Sequence, residues 1–265
     1  MKIISWNVNG LRAVERKEFL GAFLNEHSPD ILLLQETKSK PEQVAFLEPL
    51  YPDYQKFYVS AEKPGYSGVS IWLKNELKSQ FGNFEFIAGM LNDPVSEEGR
   101  IARLDFTLNA EKFSVLGAYF PNGGKSDDAW QHKLKFYAAW LEYVNSIRDS
   151  GRKVIWTGDV NCAHNEIDLA RPKDNDGVIG FHPKERACLD DWISNRWIDV
   201  WRTKNPDTTE VYSWWHMISR ARLRNVGWRI DYFWIDAPLM KSVKNAEYLT
   251  EQMGSDHCPV VLEIN

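Results

Sequence analysis

The chain has 265 residues, of which 43% are hydrophobic and 26% charged, and its net charge is −5. That length and balance exclude a disordered chain, and no apolar run approaches the roughly 20 residues of a membrane-spanning helix. The negative total speaks only weakly against a nucleic-acid partner, because phosphate binding answers to local fields and a cluster of acids around a metal would itself depress the sum.

Apolar and alternating runs predict strands at 2–8, 30–35, 56–60, 68–73, 101–108, 113–119, 153–158, 211–215, 230–235 and 258–264. Helical spacing predicts helices at 15–27, 41–48, 127–149 and 184–195. It is clearest in 127–149, where Trp130, Leu134, Tyr137, Trp140, Leu141 and Val144 share a face. No linker-like stretch, charge block or composition break interrupts the chain, so residues 1–265 are expected to form a single domain. Many strands with few, long helices predict an α/β four-layer sandwich, in which two mostly antiparallel or mixed sheets pack face to face with helices outside. Cys162, Cys188 and Cys258 are odd in number and form no C-x-x-C pair, and Met1-Lys2-Ile3 begins a strand directly. A cytoplasmic location is therefore expected, with no secretory or transit segment and no disulfide framework.

The strand ends carry the chemistry. Lys2–Asn9 and Lys153–Asn161 are each a short apolar run ending in Asx-x-Asn, a hint of two related halves with one sheet each. The run 30–36 ends on Glu36, while Asp231 opens one late strand and Asp256-His257 precedes another. If the late strands run antiparallel to the early ones, starts and ends meet at one rim. Glu36, Asp159, Asp231 and Asp256 then converge there with Asn7, Asn9 and Asn161. Oxygen ligands without a Cys/His cage favour Mg²⁺ or Mn²⁺ over zinc. Turn-capping roles for Glu36 and for the Gly158-Asp159 pair account for each residue taken singly. His257, with Asp231 on a predicted neighbouring strand, reads as an oriented imidazole. Tyr119 and Asn122 lie near the same rim, across a turn with Pro121 and Asn122-Gly123. Cys162 and Cys258 flank these motifs without a base beside them and read as packing.

Residues 211–230 contain no acid, the arginines Arg220, Arg222, Arg224 and Arg229, and the tryptophans Trp214, Trp215 and Trp228. Charge interleaved with flat rings suits a nucleic-acid surface, and a basic loop beside a tryptophan core accounts equally for the same composition.

Ser-Trp-Asn-Val-Asn-Gly-Leu-Arg (5–12), Leu-Gln-Glu-Thr-Lys (34–38), Gly-Tyr-Ser-Gly (65–68), Tyr-Phe-Pro-Asn-Gly (119–123), Gly-Asp-Val-Asn (158–161), Glu-Ile-Asp-Leu-Ala-Arg-Pro-Lys (166–173), Asn-Val-Gly-Trp-Arg-Ile-Asp-Tyr (225–232) and Gly-Ser-Asp-His-Cys-Pro (254–259) together resemble the exonuclease III-type apurinic/apyrimidinic endonucleases. The match runs through essentially the whole chain. The metal and His-Asp motifs alone would specify only the wider endonuclease/exonuclease/phosphatase superfamily. Gly-Tyr-Ser-Gly and Asn-Val-Gly-Trp-Arg narrow it to the DNA-repair branch.

The resemblance implies a Mg²⁺-dependent nuclease, with Mn²⁺ as a substitute, that cuts 5′ to an abasic site in double-stranded DNA to leave a 3′-hydroxyl and a 5′-deoxyribose phosphate. It also implies 3′→5′ exonuclease activity, cleaning of blocked 3′ ends and a monomer, nucleoid-associated if the source is prokaryotic. Glu36 is then the principal metal ligand with Asn9, and Asp159, Asn161 and Asp256 belong to the metal set. Asp159 activates water, Asn161, Tyr119 and Asn7 hold the phosphate, and His257, oriented by Asp231, stabilises developing charge. Trp214, Trp228 and Ile230 match the pocket for the baseless sugar, and Arg12, Lys17, Tyr66, Arg100, Asn122, Lys125 and Arg222 match DNA contacts. Asn9 stands where some members carry aspartate, and Lys125 where an arginine pushes into the duplex; lysine lacks that planar, bidentate head.

Two other readings compete. One is a superfamily relative acting on another phosphoester, such as an inositol phosphatase, which leaves the tryptophan-arginine segment unexplained. The other is a DNA-binding protein without catalysis, although every catalytic position is filled.

Overall fold

A computed structural model describes residues 1–90, 93 and 96–265. One six-stranded sheet runs in the order β13 (Val243–Tyr248), β14 (Val260–Ile264), β1 (Lys2–Asn7), β2 (Ile31–Gln35), β4 (Val69–Lys74) and β3 (Tyr54–Val59). The other runs β9 (Trp197–Asp199), β12 (Asp231–Asp236), β8 (Lys153–Asp159), β7 (Glu111–Tyr119), β6 (Ile101–Leu108) and β5 (Phe84–Ala88). Read this way, the sheets repeat one pattern. Each has a single parallel pair, β1 with β2 and β7 with β8, and its other neighbours are antiparallel. The likeness of the two Asx-x-Asn runs thus extends to the strands around them.

The sheets pack face to face through Ile3, Leu33 and Ile71 on one side and Val115, Ile155 and Phe233 on the other. Outside the first sheet, α1 (Leu11–Arg16) and α2 (Phe19–His27) cover Trp6 and Trp72 with Leu20 and Phe23. Short helices α3 (Leu47–Leu50) and α4 (Asn75–Lys78) follow. Outside the second sheet, α5 (Asp127–Asp149) and α6 (Pro183–Ser194) bury Phe136, Trp140 and Trp192 against Trp156 and Trp234. One further turn, α7 (Val200–Lys204), follows β9. The result is the expected four-layer α/β sandwich. Among the described residues, no helix is long and apolar enough to cross a membrane.

Several boundaries depart from expectation. The helix predicted at 15–27 breaks between α1 and α2 at Glu18, whose φ of 63° is left-handed although no Gly or Pro announces a break. Residues 41–48 form a 3₁₀ turn at Pro41–Gln43 and then the start of α3. Only Trp214–Trp215 of the predicted strand 211–215 is strand, β10, paired with β11 (Gly227–Trp228) in a two-stranded ribbon. The strands β5, β9, β11 and β13 lie outside the expected ranges. β5, β9 and β13 sit at sheet edges, where one flank needs no partner and no long buried run is required, and β11 is only two residues long.

Candidate active site

β1 and β8 lie in different sheets but end alike. Asn7 Oδ1 accepts a hydrogen bond from the Asn9 N–H at 3.0 Å, and Asp159 Oδ1 accepts one from the Asn161 N–H at 2.8 Å. Asn9 and Asn161 both take left-handed backbones, with φ of 47° and 58°, and so does Glu36 at 50°. Asparagine tolerates this conformation, whereas for Glu36 it costs about 1–2 kcal/mol, so strain is held at that residue. Ahead of Asp159, Gly158 has φ 142°, and a side-chain carbon there would lie 1.8 Å from the Ala118 carbonyl oxygen. Only glycine lets the chain present Asp159 in this way. Parallel pairing sets Asn7 opposite Gln35, which brings Glu36 just past it. The Asn7 amide then donates to both Glu36 Oε1 and Asp159 Oδ2, each at 2.9 Å, and joins the two sheets.

Antiparallel pairing of β12 with β8 sets Asp231 opposite Asp159. His257 precedes β14, in the other sheet, so Asp231 and His257 meet across the sandwich and not on neighbouring strands as the sequence suggested. His257 Nδ1 lies 2.8 Å from Asp231 Oδ2, while Nε2 is 3.8 Å from Asp159 Oδ2. Burial alone would lower the imidazole, but Asp231 and Asp159 outweigh it and raise His257 to about 10. Burial, followed by the Asp231 and Glu36 charges, pushes Asp159 up to about 8 against the pull of His257. Burial also pushes Glu36 upward, yet hydrogen bonds from Asn7 and Lys38 hold it below the usual carboxylate range. Burial, Glu36 and Asp159 together keep the Tyr119 phenol protonated far above its ordinary range.

Asp159 and His257 both hold their protons more tightly folded than unfolded. Their contribution to stability is therefore present at low pH and is lost as pH rises through those values. The melting temperature of the metal-free protein is expected to fall between about pH 6 and pH 9, and a divalent ion, which displaces such protons, to oppose the fall. A scan that rises or stays flat over that window would contradict this electrostatic picture.

One atom each of Glu36, Asp159 and His257 lie within 4.8 Å of one another, a group able to hold a metal ion. Hydrogen bonding makes the Glu36 side the stronger attractor of a cation. Lys38 Nζ sits 2.7 Å from Glu36 Oε2 and also donates to Asn9 Oδ1. An ammonium already stands between two oxygens, so the donor set fits a hard, oxygen-seeking cation. Asp256 joins from the far side, where its Oδ1 accepts from Asn9 Nδ2 at 2.9 Å and its Oδ2 from Trp214 Nε1 at 3.1 Å. Asn161 is differently engaged. Its Oδ1 accepts from Asn122 at 3.1 Å, and its Nδ2 donates to Phe120 O at 2.9 Å and Asp159 Oδ2 at 3.3 Å.

Glu36, Tyr119, Asp159, Asn161, Asp256 and His257 floor a cleft of about 320 Å³. Its apolar wall is Trp214, Trp228 and Ile230, together with Val178, Ile179 and Gly180. The Trp214 and Trp228 rings meet edge-on at 6.4 Å, registered by the β10–β11 ribbon. Seven of the 12 tryptophans (Trp6, Trp72, Trp140, Trp156, Trp192, Trp197 and Trp234) are fully buried, and Trp214 and Trp228 are not among them. At Gly180, φ is 96° and a side-chain carbon would come within 3.1 Å of the Trp228 ring.

Of the expected DNA contacts, Arg12, Lys17, Asn122 and Lys125 are exposed. Arg100 is buried, 3% exposed, and its guanidinium is taken up by Glu98 at 2.5 Å, Tyr66 Oη at 2.9 Å and the Tyr119 carbonyl at 2.9 Å. It also lies over the Tyr119 ring at 4.7 Å, so it orients two phenols and does not face solvent. Arg222 likewise donates to the carbonyls of Thr250, Gln252 and Ser255, tying two loops together. Cys162 and Cys258 are buried, as expected of packing residues. Sequence reasoning missed Lys38, whose type reads as a solvated surface lysine, and Val178–Gly180, which lie in a loop without motif or periodicity.

A sequence model of the Endonuclease/Exonuclease/phosphatase family matches residues 4–257. The chain is 39% identical to an exodeoxyribonuclease of Bacillus subtilis over 265 residues, the full length of both. It is 33% identical to a DNA-(apurinic or apyrimidinic site) endonuclease of Dictyostelium discoideum, covering 100% of this chain and 71% of that protein. In three dimensions it is similar to an AP endonuclease from Leishmania major, with TM-score 0.90, 27% identity, and coverage of 100% of this chain and 87% of the other.

Proposed function

The chain belongs to the endonuclease/exonuclease/phosphatase family, in its exonuclease III-type branch of hydrolytic DNA-repair nucleases, and on that premise we propose that it hydrolyses the phosphodiester 5′ to an abasic site in double-stranded DNA. The products are a 3′-hydroxyl and a 5′-deoxyribose phosphate. The observation that carries this reading is a single cleft with Glu36, Asp159 and His257, the last backed by Asp231, on its floor and Trp214, Trp228 and Ile230 on its wall. A charged phosphodiester needs the floor, and a baseless sugar fits the wall. An abasic nucleotide has lost its stacking, so extruding it from the duplex costs less than extruding an intact one.

Asp159 takes the proton of the attacking water; its raised proton affinity suits it to that role near neutral pH. Asn7 and Asn161 hold it in place from either side. The Tyr119 phenol stays neutral and donates to a phosphate oxygen. His257, kept cationic by Asp231, faces the charge that develops on the phosphate in the transition state. Mg²⁺, with Mn²⁺ as a substitute, supplies Lewis-acid relief of the phosphate charge when bound, and Glu36, Asn9, Asp159 and Asp256 would hold it. Asn161, whose carbonyl oxygen already accepts from Asn122, serves the phosphate. Arg12, Lys17 and Lys125 reach the DNA backbone. The same floor would accept recessed or blocked 3′ ends, which gives the exonuclease and end-cleaning activities. In this reading residues 1–265 act as one catalytic domain, monomeric and cytoplasmic.

The test sets a duplex with one abasic analogue beside an undamaged recessed end and an inositol phosphate, with Mg²⁺ and then with EDTA. EDTA-sensitive nicking at the lesion supports the reading, and turnover of the inositol phosphate alone would refute it. For Glu36→Gln, which removes one charge from the ligand set, the Mg²⁺ needed for half-maximal nicking is expected to rise about tenfold or more, with activity partly restored at high Mg²⁺. An unchanged metal requirement would remove Glu36 from the ligands.

A further inference from the structure

A second charged cluster lies behind the cleft, and the chemistry described so far does not use it. Lys133, on α5, and Glu185, on α6, form an ion pair in which both side chains are 0% exposed. The lysine's other protons go to backbone carbonyls of two site residues, Asn161 at 2.8 Å and Asn122 at 3.1 Å. Glu185 Oε2 accepts from the Gly180 N–H at 2.7 Å and the His182 N–H at 3.1 Å. The His182 bond is the capping box that begins α6, and it accounts for a glutamate at this position. A cap does not account for the bond to Gly180 or for a buried lysine opposite. Burying two charges is no efficient route to stability, since a well-packed neutral pair of similar volume often serves as well or better. What only the ions supply is a tie among three backbone segments, 121–124, 160–163 and 178–182. The first two carry Asn122 and Asn161, and the third carries the pocket residues beside Trp228.

We propose that the Lys133–Glu185 pair is a positioning device for the reaction, holding the cleft-lining Asn122 and Asn161 and the lesion-pocket loop in one register. The inference rests on the abasic-site reading of the cleft. The variant Lys133→Met/Glu185→Gln removes both charges, keeps the volumes and leaves an oxygen for the Gly180 and His182 N–H groups. Its melting temperature is expected to stay within a few degrees of wild type. Hydrogen exchange read by mass spectrometry should show protection falling about tenfold or more in 160–163 and 178–182, with β8 and β12 unchanged. On a duplex with one abasic analogue, kcat should fall about 10–100-fold, as for a misplacement near 1 Å, while KM moves less than about threefold.

Unchanged protection would overturn the proposal. So would protection lost evenly across both sheets, which would make the pair a core stabiliser, or protection lost locally with kcat intact. If wild type itself fails to nick the duplex, the abasic-site reading falls, and the exchange data still decide whether the pair holds the loops. Should the double variant not fold, Lys133→Leu/Glu185→Gln, which likewise leaves no unpaired charge, is measured in the same way and is expected to lose protection in 160–163 and 178–182; its failure to do so would overturn the proposal.

Discussion

Asp159→Asn is expected to lower abasic-site incision by about 10³–10⁴-fold while DNA affinity stays within about threefold of wild type. In the proposed mechanism the carboxylate works in the transition state, where it receives a proton, and contributes little to holding the ground state. Removing an acid from a phosphate-binding cleft lessens repulsion, so binding can tighten. The structure adds a stability term. Asp159 Oδ2 accepts from both Asn7 and Asn161, and an asparagine amide in that place would set donor against donor. That conflict costs about 1–3 kcal/mol, partly offset because a carboxylate crowded by Glu36 and Asp231 has gone. Gel-shift affinity and single-turnover incision, measured on protein shown to be folded, check the expectation. Affinity that falls in parallel with rate would remove Asp159 from the role of base.

Trp228→Ala is expected to erode the preference for baseless over intact nucleotides by about 10–100-fold, with a melting temperature only a few degrees lower. A core tryptophan truncated to alanine costs about 3–5 kcal/mol and should lower every activity together. Trp228 is half-buried, and its ring faces Gly180 and Trp214 across the cleft. Its backbone bond from Ser213 survives truncation, so β11 should keep its place. The ratio of abasic incision to exonuclease rate reads the effect. A large fall in melting temperature with an unchanged ratio would return Trp228 to the core.

Much of the site was legible because buried strands are apolar runs and the functional groups sit where those runs stop. Asn7, Glu36, Asp159 and Asp231 were found in this way, and the meeting of strand starts and ends at one rim follows from antiparallel pairing of β14 with β1 and of β12 with β8. What could not be read was contact between sheets. Nothing local shows that Asn7 bridges Glu36 and Asp159, or that Asp231 reaches His257 from the opposite sheet. Lys133 was invisible for a related reason. A lysine in an amphipathic helix reads as solvated, and its burial depends on α6 bringing Glu185 against it. Arg100 differs in the opposite sense: the resemblance implied a DNA contact, and the fold encloses its guanidinium between Tyr66 Oη and the Tyr119 carbonyl.

The central claim is that water, activated at Asp159, attacks the phosphorus on the 5′ side of the lesion. Incision of a single-abasic duplex in ¹⁸O-labelled water with Mg²⁺ tests it most directly. The predicted products are an upstream strand ending in an unlabelled 3′-hydroxyl and a downstream strand whose 5′-deoxyribose phosphate carries one ¹⁸O, with neither formed in EDTA. Cleavage on the 3′ side of the lesion, with no label in the phosphate and no effect of EDTA, would mean elimination at the sugar and would contradict the account.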